Sequence, residues 1–250
     1  MKTNTLLLIA LPVLSCATTP GARPDEMSTA HHEAAARQED AAASGHATQY
    51  DSNATVTRER CSPRPGAVSR ADFAVLPCWT SVSNPTDAHR HEAEDHRRHA
   101  ADHRAGSIAL REAESQACVG IDPDDRDISP FEHTEDIASV TPLKVSEGGK
   151  VATQQTEGVV VTFRAVPGMT AEWLQRVVNC HLARNASLGH VVPEMPNCPL
   201  VPNGLTATAS STGNGFAVSV RSSDSATARD ILSRAQRLIA APAAAPSTQR

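Results

Sequence analysis

In the stretch 161-VTFRAVPGMTAEWLQRVVNCHLARN-185 the hydrophobic repeat changes from that of a strand to that of a helix, and this change indicates the class of fold. The β-branched run within 151–166 is typical of a buried strand. Pro167-Gly168 predicts a turn, and Thr170 is a suitable N-cap for a helix over 170–188. Apolar residues then recur at helical spacing at Trp173, Leu174, Val177, Val178 and Leu182. We therefore expect a strand followed directly by a helix.

Downstream of this helix the sequence predicts a β-hairpin and a last helix. Residues 205–209 and 216–220 alternate apolar with small or polar side chains, and STGNG between them predicts an Asn-Gly turn. An amphipathic helix follows. With 143–146 as a candidate extra strand, the order β-α-β-β-α is that of an incomplete ferredoxin-like sandwich. We expect a small α+β domain over 143–240 and a disordered tail at 241–250.

The N-terminal half has a different composition, rich in alanine and charged residues. Helix-forming residues predict a solvated helix over 27–44 and a second helix over 86–117. The segment 45–85 is typical of a loop held by cysteines, and 121–142 is typical of an acidic loop. We therefore expect residues 17–142 to form a helical, cysteine-stapled region that begins with a flexible tail.

The first sixteen residues, MKTNTLLLIALPVLSC, have the features of a secretory signal. Their apolar run is too short to span a bilayer, which needs about 20 residues. The ending Val-Leu-Ser-Cys resembles a bacterial lipobox, in which Cys16 carries the lipid; a plain signal peptide is the alternative. Ala17 after the cysteine favours the outer membrane, by resemblance to the lipoprotein sorting rule. We expect 1–16 to be a lipoprotein signal peptide, and the mature protein to be held by acyl chains such as palmitate on the periplasmic face of the outer membrane.

Five cysteines remain beyond Cys16, and in an oxidising compartment they are expected to pair. Local context favours Cys61–Cys78 and Cys180–Cys198, because each pair closes a short loop that contains proline. Cys118 then has no assigned partner, and the sequence alone does not fix the connectivity. No CxxC motif occurs, which argues against a thioredoxin-like redox site.

The segment 87-DAHRHEAEDHRRHAADHR-104 concentrates five of the eleven histidines. On a helix, residues seven apart have nearly the same direction, so three of these histidines align, and two further side chains fall within the same arc. The candidate ligands are His89, Glu92, His96, His99 and His103. Imidazole with a carboxylate suits zinc, copper or nickel, so one interpretation is a metal-binding ridge. The alternative is a solvated spacer or a helix that packs against a partner.

These features together resemble uncharacterised proteobacterial lipoproteins. The resemblance is carried by the lipobox at Cys16, by the alanine- and histidine-rich helical half, and by the stretch 161–185 followed by a hairpin and a helix. It covers most of the mature chain. It implies no known activity, and so it contributes no catalytic residues.

Composition and motifs exclude several classes of function. The formal net charge of −5 gives no reason to expect nucleic acid as a partner. The sequence contains no GxSxG, HExxH, Walker loop or GxGxxG after a strand, so we do not expect an enzyme. We expect a non-catalytic envelope lipoprotein with a structural or interaction role, an envelope protein as its partner and no cofactor. The alternative is a periplasmic lipoprotein that binds zinc or copper through its histidine-rich helix.

Overall fold

The protein combines long helices with an antiparallel sheet, and the expected α+β class is confirmed. The structure is a computed structural model that describes residues 27–61, 78–147 and 153–240. The predicted signal peptide with Cys16, and the predicted tail at 241–250, lie outside these residues. None of the helices within the described ranges combines the length and the apolar character that a membrane crossing requires.

The helices and strands of the described residues follow the sequence expectations in most places. In chain order they are α1 (Thr29–Gln49), β1 (Val56–Cys61), β2 (Cys78–Ser83), α2 (Asp87–Ala117), α3 (Pro123–Asp127), β3 (Ile137–Glu147), β4 (Thr153–Arg164), α4 (Ala171–Ser187), β5 (Leu205–Thr212), β6 (Gly215–Ser222) and α5 (Ser225–Ala240). The expectation of a loop over 45–85 was wrong for the residues described there, because α1 extends to Gln49 and β1 and β2 pair as an antiparallel hairpin. The expected acidic loop contains α3 and the start of β3.

The main sheet has the order β3-β4-β6-β5, with every neighbouring pair antiparallel. The candidate extra strand is the second half of β3, an edge strand that pairs with β4 along almost its whole length. The order of elements is therefore ββαββα, one strand more than the β-α-β-β-α expected. The turn between β5 and β6 consists of Gly213 and Asn214, so Gly215 is the first residue of β6. A Cβ on Gly215 would lie 2.1 Å from the Phe163 carbonyl oxygen, which explains the glycine.

The apolar core lies between one face of this sheet and the helices α4 and α5. Alternate strand residues such as Val159, Val161 and Val218 are fully buried on that face, because successive strand side chains point to opposite faces. Leu174 of α4 and Ile231 of α5 pack against them. The core also includes Phe131 and Ile137, which precede residue 143, where the sequence placed the start of the domain.

The predicted disulfide between Cys180 and Cys198 was wrong. Cys180 is bonded to Cys118, and Cys198 is a buried free thiol whose sulfur accepts a hydrogen bond from Ser129 Oγ. The cause is the direction of the side chains. Cys180 lies with Val177 on the side of α4 that meets the end of α2, whereas Cys198 packs into the main core. The expected Cys61–Cys78 bond is present and joins β1 to β2.

Candidate metal centre

Helices α1 and α2 pack antiparallel along a seam of alanines. Ala36 and Ala43 of α1, and Ala93 and Ala100 of α2, are each no more than 3% exposed. Each pair is spaced seven residues apart, which is the repeat that keeps one stripe of a helix against a partner helix. The small side chains bring the two helices close together, so longer side chains in the seam must meet one another.

Polar side chains alternate with the alanines at the same seven-residue spacing. They are His32, Glu39 and His46 on α1, and His89, His96 and His103 on α2. Because the helices are antiparallel, these residues meet in three layers across the seam. The contacts are His32 with His103, Glu39 with His96, and His46 with His89. The three aligned histidines of α2 therefore face α1 rather than solvent.

The layer at the β1–β2 end contains three potential ligands, which we call the His46 cluster: His46, His89 and Glu92. The two Nδ1 atoms of His46 and His89 lie 3.2 Å apart. Glu92 Oε2 lies 2.9 Å from His46 Nδ1 and 3.3 Å from His89 Nδ1. The three ligand atoms thus form a compact triangle to which both helices contribute.

The middle layer contains a second set, which we call the Glu39 cluster: Glu39, His96 and His99. Glu39 Oε2 lies 2.6 Å from His96 Nδ1 and 3.7 Å from His99 Nδ1. The hydrogen bond from His96 lowers the pKa of the Glu39 carboxyl, and the nearby imidazoles of His96, His99 and His103 add to this effect against the cost of burial. This carboxylate is held among three imidazoles.

The third layer pairs two imidazoles. His32 Nδ1 and His103 Nδ1 lie 3.1 Å apart, and His32 is only 3% exposed. Gly106 of α2 faces the His32 ring, and a Cβ at that position would lie 3.0 Å from a ring carbon. A glycine inside a helix costs about 1 kcal/mol relative to alanine, but here it makes room for the imidazole.

The two clusters are adjacent and partly open to solvent. The rings of His46 and His96 stack with their centroids 5.3 Å apart and their planes 13° apart. The side chains of His46 and Glu39 are 29% and 27% exposed, whereas that of His99 is 60% exposed. Ions from solution can therefore reach both sets of ligand atoms without opening the fold.

Most arginines on α2 are paired with acids, which reduces their repulsion of a cation. Arg104 pairs with Asp40 and Arg111 with Glu33, both across the two helices. Arg90 forms an ion pair with Asp87 at 2.9 Å, one turn earlier on the same helix. The carboxylates of the two clusters are therefore left to face imidazoles.

The structure divides the predicted ligand set between layers. His89 and Glu92 belong to the His46 cluster, His96 and His99 belong to the Glu39 cluster, and His103 lies in the third layer. The α1 residues Glu39, His46 and His32 were not predicted as ligands, because the sequence predicted only a solvated helix over 27–44, and His46 lies beyond that range. The available signal was the seven-residue spacing of these side chains, which matches that of the α2 histidines.

Two other sites among the described residues are poor sources of ligands. Glu59 lies beside Cys61 and Cys78, but both sulfurs are committed to their disulfide. His181 is fully buried in α4, with its Nε2 3.2 Å from the Asp125 carbonyl oxygen. Burial lowers the pKa of His181, which favours the neutral ring.

Comparison of the chain with models of protein families, with curated proteins and with solved structures gives no match. The function must therefore be inferred from the chemistry of the seam. The resemblance to proteobacterial lipoproteins stays a prediction.

Proposed function

We propose that the α1–α2 hairpin binds divalent transition-metal ions of the zinc, copper and nickel group. The observation that carries the proposal is the composition of the two clusters. Each brings two imidazoles and one carboxylate together, with ligand atoms within 4.8 Å of one another. Nitrogen and carboxylate ligands in this number suit borderline first-row ions.

The contribution of α1 distinguishes this site from a histidine-rich helix alone. On α2, two residues three positions apart supply two of the ligands in each cluster. They are His89 and Glu92 in the His46 cluster, and His96 and His99 in the Glu39 cluster. Glu39 or His46 supplies the third ligand from the facing helix. Three protein ligands leave at least one coordination position for water, as in sites from which an ion can exchange. An ion bound in this way links the helices and stabilises their packing.

We also propose that the protein is located in the bacterial envelope. The lipobox-like ending at Cys16 supports lipid anchoring at the periplasmic face of the outer membrane. The two disulfides support an oxidising compartment, because such bonds are rare where thiols are kept reduced. A metal-binding lipoprotein in this compartment would hold ions that have crossed the outer membrane.

A ferredoxin-like sandwich is the finer description that we propose for the domain containing β3 to α5. The strand order β3-β4-β6-β5 supports it, as does the packing of α4 and α5 against one face of the sheet. In this interpretation β3 forms the edge strand beside β4 and precedes the repeat. This domain serves as the platform that holds the end of α2.

Metal content and calorimetric titration of the protein, purified without an affinity tag, test the proposed function. We expect zinc to bind, and the double variant Glu39→Gln/His46→Gln, which removes both α1 ligands, to lose most of the affinity. The matched control is His31→Gln/His91→Gln, because these histidines lie on the same helices outside the clusters. A protein that binds no zinc at neutral pH, or a control that loses binding equally, would contradict the proposal and leave a structural or interaction role.

A further inference from the structure

We propose that the His46 cluster is a preassembled tetrahedral zinc site that fills first, and that the Glu39 cluster takes a second ion more weakly. This inference rests on the proposed function and adds the stoichiometry, the order of loading and the preferred ion. The two clusters have the same composition but differ in geometry.

The geometry of the His46 cluster matches one face of a tetrahedron. Zinc bonds of about 2.0–2.1 Å place two ligand atoms of a tetrahedral site roughly 3.3–3.4 Å apart. The three separations among His46 Nδ1, His89 Nδ1 and Glu92 Oε2 are 2.9, 3.2 and 3.3 Å. An ion seated on this triangle needs only small movements of the side chains. Because Cu²⁺ prefers square-planar or tetragonal geometry, the triangle favours zinc.

The Glu39 cluster is less regular and requires more rearrangement. Glu39 Oε2 is 2.6 Å from His96 Nδ1, so an ion must separate two atoms that already share a short hydrogen bond. His99 Nδ1 is 3.7 Å from the same oxygen, farther than the ligand atoms of a tetrahedral site lie from one another. One separation is therefore too short and the other too long, and the rearrangement that both require weakens binding at this cluster relative to the first.

The two clusters also affect one another through charge. His46 belongs to the first cluster and His96 to the second, and their rings are stacked 5.3 Å apart. An ion held by His46 therefore raises the positive potential at His96. Each cluster supplies a single carboxylate, so a bound divalent ion keeps a net positive charge. Repulsion between two ions held by neighbouring histidines weakens the second binding step by about tenfold.

Titration of the tag-free protein with zinc and with cobalt tests the inference. We expect two binding steps that differ by about tenfold or more in affinity. Cobalt serves as a spectroscopic substitute for zinc, and its first equivalent should give the intense visible bands of a tetrahedral site. Two equal steps, or weak octahedral bands for the first equivalent, would overturn the inference although metal still binds.

Variants identify which cluster carries which step. His89→Gln should abolish the tight step and leave the weak one, and Glu92→Gln is a second, more exposed test of the same cluster. His99→Gln should abolish only the weak step, and His91→Gln is the control that changes neither. If His99→Gln removes the tight step, the assigned order is reversed and the inference fails. If the unsubstituted protein binds no metal at all, the proposed function itself fails.

Discussion

The sheet core and the helical seam bury side chains of opposite chemistry. The core consists mainly of large apolar side chains. Val161, Leu174 and Ile231 are examples, and each is at most 1% exposed. The seam buries alanines, with mostly half-buried imidazoles and a half-buried carboxylate between them. Burial of a large aliphatic side chain contributes about 1.5–3 kcal/mol, whereas alanine removes much less apolar surface from water.

This contrast indicates which part of the protein can respond to changes in solution. The stability of the core depends mainly on apolar surface removed from water, which metal ions do not change and which protons affect only through a buried group such as His181. The stability of the seam depends on groups that both can bind. We therefore expect the two regions to respond differently to the same solution conditions.

The largest expected effect concerns the bond that joins the two regions. Replacing both Cys118 and Cys180 with serine opens a loop with a sequence separation of 62 residues. Loop-closure entropy assigns such a bond about 4 kcal/mol of stability. Denaturant unfolding measures the loss, and the control is Cys61→Ser/Cys78→Ser, which we expect to leave the sheet domain intact.

Mass mapping without reduction checks the pairing itself. We expect a Cys118–Cys180 peptide and no label on Cys198 until the protein unfolds. Burial raises the pKa of the Cys198 thiol, which keeps it protonated and unreactive. Rapid labelling of Cys198 in the folded protein would contradict its position in the core.

Truncation in the core should destabilise the sheet domain without affecting metal binding. Ile231 is fully buried against the sheet, so Ile231→Ala removes apolar contacts and leaves a cavity. We expect a loss of about 3 kcal/mol in the free energy of unfolding. The zinc affinity should stay unchanged while the protein is folded. Ile239→Ala is the matched control, because Ile239 lies on the same helix and is 53% exposed.

Zinc should stabilise the seam and leave the core unchanged. Binding to the folded state alone adds about 2.7 kcal/mol when free zinc is about 100 times the dissociation constant. Amide exchange in α1 should slow by the corresponding factor, with little change in β4. The variant Glu39→Gln/His46→Gln should show no such protection. Equal protection of α1 and β4 would mean that the two regions unfold as one unit.

The smallest expected effect is a pH dependence in the sheet domain. His181 has a lowered pKa in the folded protein because it is buried. Below the ordinary histidine pKa of about 6.5, the unfolded chain binds a proton that the folded chain does not. Stability should therefore fall as pH decreases below that value, until the lowered folded pKa is reached.

Substitution of His181 isolates this contribution. His181→Gln should flatten the decline of stability below neutral pH, measured with a chelator present. His133→Gln is the control, because the His133 side chain is 72% exposed. An unchanged slope in the His181 variant would show that its proton is not responsible.

The sequence predicted the regular parts of the fold because their signals are local. The apolar stripe of α4 and its Thr170 cap are both present, with Thr170 Oγ1 accepting a hydrogen bond from the Trp173 amide. The exposed hairpin of β1 and β2 was missed because it packs little apolar surface and carries no clear alternation. Trp79, at 50% exposure, shows how open it is.

The candidate site was predicted only in its α2 half. The stripe of His89, His96 and His103 can be read from spacing alone. Their partners could not be read from the apolar pattern, since Glu39 and His46 belong to a seam whose buried residues are alanines. The pairing of Cys180 with Cys118 likewise depends on which face of α4 meets α2, and no local pattern gives that direction.

The attachment of α1 at its first turn has a mechanical consequence. Ser28 caps α1 and lies against Gly189, where a Cβ would be 2.8 Å from the Ser28 amide nitrogen. The end of α2 beside it is tied to α4 through Cys118. A force applied at Met27 would therefore separate the layers of the seam one at a time, starting at His32. An ion bound at the His46 cluster lies in the last of these layers, so it would raise the force needed to detach the helix completely but not the force that opens the first layer.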